Sequence, residues 1–269
     1  MPLRVHLKLI LKKILPISLF SLLVKIWRLT FSHFFNSDIH TLYTKQYINQ
    51  HGYTVTGGPF TPMNYVEDSA GSTYLLKLIG CYEAVLHPTI AKIKQRSFDT
   101  VIDIGCAEGY YLVGFGAQFP TATLIGYDID TRALTLTKEL STRNHLLNTL
   151  ILDTDCTHTK LQSQITDSTL LICDAEGFEA TILNPELCPR LTAVDTYLIE
   201  THEFAAKGVV ALLKNRLSAT HDIEVITFRI ADPSPYPFLM SIKNKNHLYQ
   251  LLRERGEQEQ QWIVAHKKS

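Results

Sequence analysis

The sequence has no excess of charge of either sign, because 26 Lys and Arg residues balance 26 Asp and Glu residues. This balance excludes a uniformly basic nucleic-acid binder and an acidic tail protein. The five cysteines are odd in number and form no C-x-x-C pair. Their pattern argues against a disulfide scaffold or a zinc site and favours reduced thiols in the cytoplasm.

The sequence also lacks an apolar run long enough to suggest a membrane span near its start. The run at Ile14–Val24 is shorter than the roughly 20 residues that a spanning helix needs. Hydrophobic residues nevertheless make up 45% of the 269 residues and charged residues only 19%. Such a chain can bury a full core, and its length suits one large α/β domain with extensions.

Residues 1–35 differ from the rest in charge, since they hold six Lys or Arg residues and no acid. Past Pro16, polar residues recur on one side of a helical repeat and apolar residues fill the other side, which predicts a basic amphipathic helix. Two interpretations stay open: peripheral membrane contact through residues 1–35, or packing on protein.

The remaining chain divides into two predicted regions, 36–95 and 96–269. Residues 36–72 are rich in turn-forming residues and are typical of a loop or lid, whereas 73–95 have helical spacing. Residues 36–95 are therefore predicted as a lid and linker helix region, and residues 96–269 as the main domain.

Short apolar strands alternate with helices through the main domain. The predicted strands lie at 99–104, 122–127, 149–152, 169–173, 194–199, 223–230 and 261–265. This alternation predicts an α/β fold with a Rossmann-like, seven-stranded, mostly parallel sheet. The last two strands lack a full helix each, which predicts an antiparallel pair at the C-terminal edge.

The strongest chemical signal is the loop after the first strand, Asp103-Ile-Gly105-Cys-Ala-Glu108-Gly109. Glycines there permit close approach of the backbone to a ligand at the carboxyl edge of the sheet. The dinucleotide fingerprint G-x-G-x-x-G and the phosphate loop are both absent. The acids Asp103 and Glu108 instead favour a nucleoside that carries positive charge.

Acids also end the next two strands. Asp128 is positioned for ribose hydroxyls, and Asp155 either accepts from an adenine amino group or is a turn or helix-cap residue. The candidate cofactor-binding residues are Asp103, Gly105, Cys106, Ala107, Gly109, Tyr110, Asp128, Ile129 and Asp155.

This pattern, Asp103-x-Gly105-x-x-x-Gly109 followed by Asp128, resembles the class I S-adenosylmethionine-dependent methyltransferases. The resemblance implies S-adenosylmethionine as the cofactor. The segments 174–179 (D-A-E-G-F-E) and 200–202 (E-T-H) are similar to the FkbM-type branch, which implies O-methylation of sugars or polyketide-like compounds. The Cys-Ala-Glu-Gly loop departs from the Gly-Ala-Asn-x-Gly form of that branch.

The fourth and fifth strands end at the same sheet edge, so Asp174, Glu176 and His202 are the predicted catalytic residues. His202 can accept the proton of an acceptor hydroxyl, and the carboxylates can orient that hydroxyl or act as the base. Alternatively, His202 bonds only backbone at a strand end. Glu179 is interpreted as a first-turn helix acid. Mg²⁺ or Mn²⁺ bound by Asp174, Glu200 and His202 is possible, but a scheme with no metal is favoured.

The predicted function is O-methyl transfer to a hydroxyl of a carbohydrate or other small molecule, with acceptor contacts from residues 52–72 and 229–238. Nucleic acid is not expected as a partner. The alternatives are a catalytically silent nucleoside-binding module at a membrane and an NAD-dependent oxidoreductase. The expected location is the cytoplasm, with membrane association left open, and the oligomeric state is not predicted.

Overall fold

The computed structural model describes residues 38–70, 73–253 and 260–268. The predicted amphipathic helix in residues 1–35 lies outside these ranges. Within them, no helix is both long enough and apolar enough to cross a membrane.

Seven strands form one sheet in the order β3-β2-β1-β4-β5-β7-β6. The strands are β1 (Thr100–Ile104), β2 (Thr123–Tyr127), β3 (Leu150–Asp153), β4 (Thr169–Cys173), β5 (Thr196–Thr201), β6 (His221–Thr227) and β7 (Gln261–Lys267). Strands β1 to β5 pair in parallel, and β7 is antiparallel to both β5 and β6. The predicted Rossmann-like, mostly parallel sheet with an antiparallel C-terminal pair is confirmed.

The central strands are continuous apolar runs because both of their faces are covered. Every residue of β1, β4 and β5 is buried. One face packs against helices within residues 38–51, 74–93 and 110–143, and the other packs against helices within residues 158–217. The helices are α1 (Asp38–His51), α2 (Tyr74–Ile79), α3 (His87–Ile93), α4 (Tyr110–Gln118), α5 (Thr131–Arg143), α6 (His158–Gln164), α7 (Glu179–Ile182), α8 (Val209–Leu217), α9 (Pro237–Met240) and α10 (Lys245–Leu252).

The region before β1 differs from the predicted loop and single helix. Helix α1 occupies 38–51, although its polar sequence has weak periodicity, because Tyr47 is fully buried and packs edge-on against Phe238 at 5.1 Å between ring centroids. The helical stretch predicted at 73–95 is broken at Gly80, which has φ +83°. A Cβ atom at Gly80 would lie 1.9 Å from the carbonyl oxygen of Gly57, so the break permits a backbone-to-backbone contact.

Residues 52–70 contribute to the same hydrophobic core as the sheet. Val55, Phe60 and Tyr65 are 0–5% exposed and belong to the cluster that contains Val101 of β1. The segment 231–238, predicted to offer aromatic faces to an acceptor, likewise buries Tyr236 and Phe238. Thr56 and Gly57 of the first segment and residues 235–238 of the second line a small pocket of about 30 Å³.

The order of the strands brings the predicted site residues at the ends of β1 and β4 next to each other. The chain runs outward through β1, β2 and β3 and then returns to place β4 on the other side of β1. Crevices at such reversals, outside the carboxyl ends of the strands, are where open α/β sheets bind ligands. Asp103 near the end of β1 and Asp174 just past β4 flank this crevice.

Candidate functional site

The backbone N–H groups of the glycine loop after β1 donate hydrogen bonds to other groups of the protein. Gly105 and Cys106 donate their N–H groups to the carbonyl oxygen of Tyr127 at 2.7 and 3.0 Å. Ala107 donates to Asp128 Oδ2 at 3.0 Å, and Gly109 donates to the carbonyl of Cys106 at 2.8 Å. These four N–H groups are therefore already bonded within the protein.

The two glycines of this loop are required by contacts inside the protein. Gly105 has φ +86°, and a Cβ atom there would lie 1.9 Å from the carbonyl oxygen of Asp174. Gly109 has φ +89°, and its Cβ atom would lie 2.8 Å from a methyl carbon of Thr137. The sequence argument assigned these close approaches to a ligand, whereas in the structure they join the loop to the end of β4 and to α5.

Asp128 fastens the end of β2 to the glycine loop. It is 6% exposed and accepts hydrogen bonds from the N–H groups of Ala107 and Asp130, one on each oxygen. An ionised carboxylate has about four lone-pair sites, and its two oxygens can accept hydrogen bonds from both hydroxyls of a diol. Ile129 follows with 46% exposure and offers an apolar surface beside this carboxylate.

Asp155 lies in the exposed turn after β3. Its side chain is 70% exposed and lies 3.6 Å from Lys160 Nζ, while its N–H donates to Asp153. The cap of helix α6 is Thr157, so Asp155 is a turn residue and not the helix cap. Its predicted contact with adenine stays a prediction.

Asp103 is the buried acid of the crevice, with 3% exposure. Burial, reinforced by the negative charges of Asp174 and Asp128, raises the pKa of Asp103 to about 8. Three acids thus influence one another at the ends of β1, β2 and β4. A cationic ligand in this crevice would relieve their mutual repulsion.

Two of the predicted cofactor residues direct their side chains into the core. Cys106 is 5% exposed, and burial raises the pKa of its thiol well above the ordinary value. Tyr110 is 3% exposed, and its ring packs against Phe60 and Tyr82. Any contact of these positions with a ligand would have to use the backbone.

Glu108, predicted to add negative charge to the ligand pocket, is instead an internal anchor. It is fully buried and forms a 2.8 Å ion pair with Lys77. Tyr65, Ser69 and the N–H of Ala70 donate hydrogen bonds to it. Burial alone would raise the pKa of Glu108, but Lys77 and the hydrogen bonds outweigh burial and bring the pKa to about 2. The charge of Glu108 is therefore neutralised by Lys77 and does not contribute to an acidic pocket.

A second cluster lies where β4 and β5 end. Glu179, the first residue of α7, is fully buried and accepts hydrogen bonds on Oε1 from the N–H groups of Ala175 and Gly177 at 3.0 and 3.1 Å. The same oxygen lies 2.8 Å from Nδ1 of His202. A carboxylate oxygen accepts, so Nδ1 carries the proton. Glu179 therefore orients the imidazole, a role that the sequence did not assign to it.

The other ring nitrogen of His202 faces two further carboxylates. Nε2 lies 3.4 Å from Asp174 Oδ1 and 3.4 Å from Glu200 Oε1, and His202 is only 1% exposed. Burial lowers the pKa of His202, but Glu179 and Asp174 outweigh burial and raise the pKa above its ordinary value. Glu200 in turn accepts a hydrogen bond from Gln260, the residue before β7.

The structure brings Asp174, His202 and Glu200, which the sequence named together as possible metal ligands, to one place and adds Glu179. Glu176 lies in the exposed turn after β4, has a left-handed backbone with φ +52°, and its negative charge contributes to the raised pKa of His202. The repeated acids of the segment 174–179 are the sequence feature that could have pointed to a functional role for Glu179. The position of Glu200 opposite Trp262 and next to Gln260 depends on pairing of β5 with β7, which the motif does not reveal.

No protein-family model and no curated protein matches this chain. Several solved structures are similar in fold. A precorrin-6y C5,15-methyltransferase from Geobacter metallireducens GS-15 is 10% identical with a TM-score of 0.49, and the match covers 80% of this chain and 99% of that chain. A putative rRNA-methylase from Clostridium thermocellum is 14% identical with a TM-score of 0.47 over 69% of this chain and 96% of that chain. A SAM-dependent O-methyltransferase from Thermotoga maritima is 15% identical with a TM-score of 0.45, and the match covers 68% of this chain and 64% of that chain. These values describe a shared fold at a distance.

Proposed function

We propose that the protein is an S-adenosylmethionine-dependent methyltransferase that acts on a hydroxyl group of a small molecule or carbohydrate. The observation that carries this proposal is the set of acids at the ends of β1, β2 and β4, namely Asp103, Asp128 and Asp174, around one crevice. A nucleoside with a sulfonium and an ammonium group has the charge that this crevice favours. Asp128 is the residue proposed to hold the ribose hydroxyls.

The glycine loop supports a sulfonium nucleoside over a dinucleotide. A pyrophosphate binds to unoccupied N–H groups at a helix N-terminus. In this chain the N–H groups of Gly105, Cys106, Ala107 and Gly109 are bonded internally, and the nearby carboxylates would repel an anion. This argues against the NAD-dependent alternative.

S-adenosylmethionine supplies an electrophilic methyl carbon that an oxygen nucleophile attacks in line with the departing sulfur. The protein has to position the acceptor oxygen and remove its proton. His202 holds its proton on Nδ1 toward Glu179, so Nε2 has the lone pair to accept one. Asp174, with a side chain that is 25% exposed, is the residue of this cluster proposed to contact the acceptor hydroxyl.

Calorimetric titration of the full chain with S-adenosylhomocysteine and with NAD⁺ tests the cofactor. We expect micromolar binding of S-adenosylhomocysteine, at least tenfold weaker binding for Asp128→Ala, and no binding of NAD⁺. Asp222→Ala removes an exposed acid on β6 and serves as the matched control with unchanged affinity. Thermal unfolding of each variant verifies that it folds. Binding of NAD⁺ alone, or of neither compound, would overturn the proposal.

Transfer of a labelled methyl group to an extract of small molecules and glycans tests the reaction. We expect labelled product with the wild-type protein and a loss of at least a hundredfold with Asp174→Asn. Binding of S-adenosylhomocysteine without labelled product would favour a catalytically silent nucleoside-binding module.

A further inference from the structure

We infer that Asp174, Glu200 and His202 form a binding site for one divalent cation, with Mn²⁺ the best match to the donor set. One ligand atom from each residue lies within 4.8 Å of the other two. The sequence favoured a scheme with no metal, and the geometry reverses that preference.

The first support is the state of His202 Nε2. Within the described part of the chain this atom has no hydrogen-bond partner, although its residue is 1% exposed. A buried polar atom without a partner is costly and rare. Because Nδ1 carries the proton and donates it in a hydrogen bond to Glu179, Nε2 is unprotonated. Its lone pair points toward the carboxylate oxygens of Asp174 and Glu200. A cation bound to Nε2, either a metal ion or a proton, would satisfy this nitrogen between the two carboxylate oxygens that lie 3.4 Å from it.

The second support is the orientation of the imidazole. Histidine ligands of metals usually donate their other N–H to a carboxylate or carbonyl, which fixes the ring and strengthens the ligand. Glu179 Oε1 provides this contact at 2.8 Å. Two backbone N–H groups, from Ala175 and Gly177, hold Glu179 in turn. The histidine is therefore fixed by a buried carboxylate that is itself fixed by the turn after β4.

The third support is the spacing of the ligand atoms. Ligands at 2.0–2.6 Å from a cation, the span from Mg²⁺ to Ca²⁺, lie about 2.8–3.7 Å apart when they are at right angles. Nε2 of His202 lies 3.4 Å from an oxygen of Asp174 and 3.4 Å from an oxygen of Glu200. One imidazole with two carboxylates is intermediate between the nitrogen-rich sites of zinc and the all-oxygen sites of magnesium, which favours Mn²⁺.

The use of this ion rests on the proposed function. Asp174 is partly exposed at the crevice, so a cation beside it has an open side toward the acceptor. A hydroxyl oxygen bound there loses its proton more readily. His202 then serves as a ligand and not as a base, and the proton of the hydroxyl passes to water at the partly exposed side of Asp174.

Titration of chelator-treated full chain with MnCl₂, with no methyl donor present, tests the site. We expect one ion per chain and at least tenfold weaker binding in Glu200→Gln and in His202→Gln. Glu203→Gln removes the same charge one residue beyond His202, where the carboxylate caps α8, and should leave the affinity unchanged. Glu179→Gln should weaken binding about tenfold while keeping one ion per chain.

Electron spin-echo spectroscopy of the bound Mn²⁺ provides a measurement that does not depend on whether a variant folds. Modulation from a directly bound imidazole ¹⁴N is the expected result for the wild-type protein. Absence of saturable binding, absence of the nitrogen signal, or equal binding by the His202 variant would each overturn the inference. Binding of S-adenosylhomocysteine in excess chelator is measured separately. Its loss would overturn the proposed function and leave the metal result standing.

Discussion

Two buried acids of this protein, Glu108 and Glu200, are equally hidden from solvent and differ in their partners. Glu108 is matched by the ammonium group of Lys77 and by donors from residues 65–70. Glu200 accepts a hydrogen bond from Gln260, and its Oε1 lies 3.4 Å from the lone pair of His202 Nε2. The first is a completed structural ion pair, whereas the second has acceptors facing one another, which is the condition of a ligand site. Burial of a charge alone therefore does not indicate function.

Removal of the ammonium group of Lys77 from its pair with Glu108 should have the largest effect on stability. Lys77→Met leaves Glu108 buried with no opposite charge, and we expect the free energy of unfolding to fall by about 3–5 kcal/mol. Chemical denaturation measures this change. The double variant Lys77→Met, Glu108→Gln should recover a large part of it, because no uncompensated charge remains. Equal losses in the single and double variants would show that the charge pair does not stabilise the fold.

The dependence of the free energy of unfolding on pH should show separately how much the charge of Glu108 contributes. The pKa of Glu108 is lowered to about 2 from 4.5, so its contribution is fully present above pH 4.5 and is lost as the pH falls toward 2. The shift corresponds to about 3 kcal/mol, at about 1.4 kcal/mol per pKa unit. Between pH 7 and pH 3, unfolding by urea should show a steeper loss of stability for the wild-type protein than for Glu108→Gln. Glu139→Gln, at an exposed helix position, should follow the wild-type curve.

Replacement of Glu200 by the neutral Gln should stabilise the protein, in contrast to Lys77→Met, and by a smaller amount. In chelator, Glu200→Gln supplies an amide donor to His202 Nε2 and removes one of the facing charges. We expect a gain of about 1 kcal/mol, or 2–4 °C in Tm for a chain of this size, read from thermal unfolding. Glu203→Gln should not produce this gain. A loss as large as that of Lys77→Met would instead mean that the cluster is a structural ion network.

The sequence predicted the parts of the molecule that depend on local pattern. The seven strands, the glycine loop and the acids at strand ends follow from apolar runs and turn residues. The mostly parallel pairing with an antiparallel C-terminal pair follows from the alternation of strands and helices. Helix α1 was predicted as loop because its polar sequence has little periodicity, and the burial of Tyr47 that stabilises it comes from the distant Phe238.

The sequence could not predict which acids pair. Glu108 stands in the loop that the sequence predicted to face a ligand, and Lys77 lies 31 positions earlier in the chain. The orientation of His202 by Glu179 likewise spans 23 positions and depends on the turn after β4. Pairings of this kind are set by the packing of whole elements, so a local motif names the candidates without assigning their partners.

The position of β7 inside the sheet has a consequence for synthesis. Among the described strands it is the last to leave the ribosome, yet it fills the gap between β5 and β6. Until residues 261–267 emerge, the edge of β5 has unpaired backbone groups and can associate with other nascent chains. Because Gln260 arrives with the same segment, the surroundings of Glu200 are completed only when translation of this strand is finished.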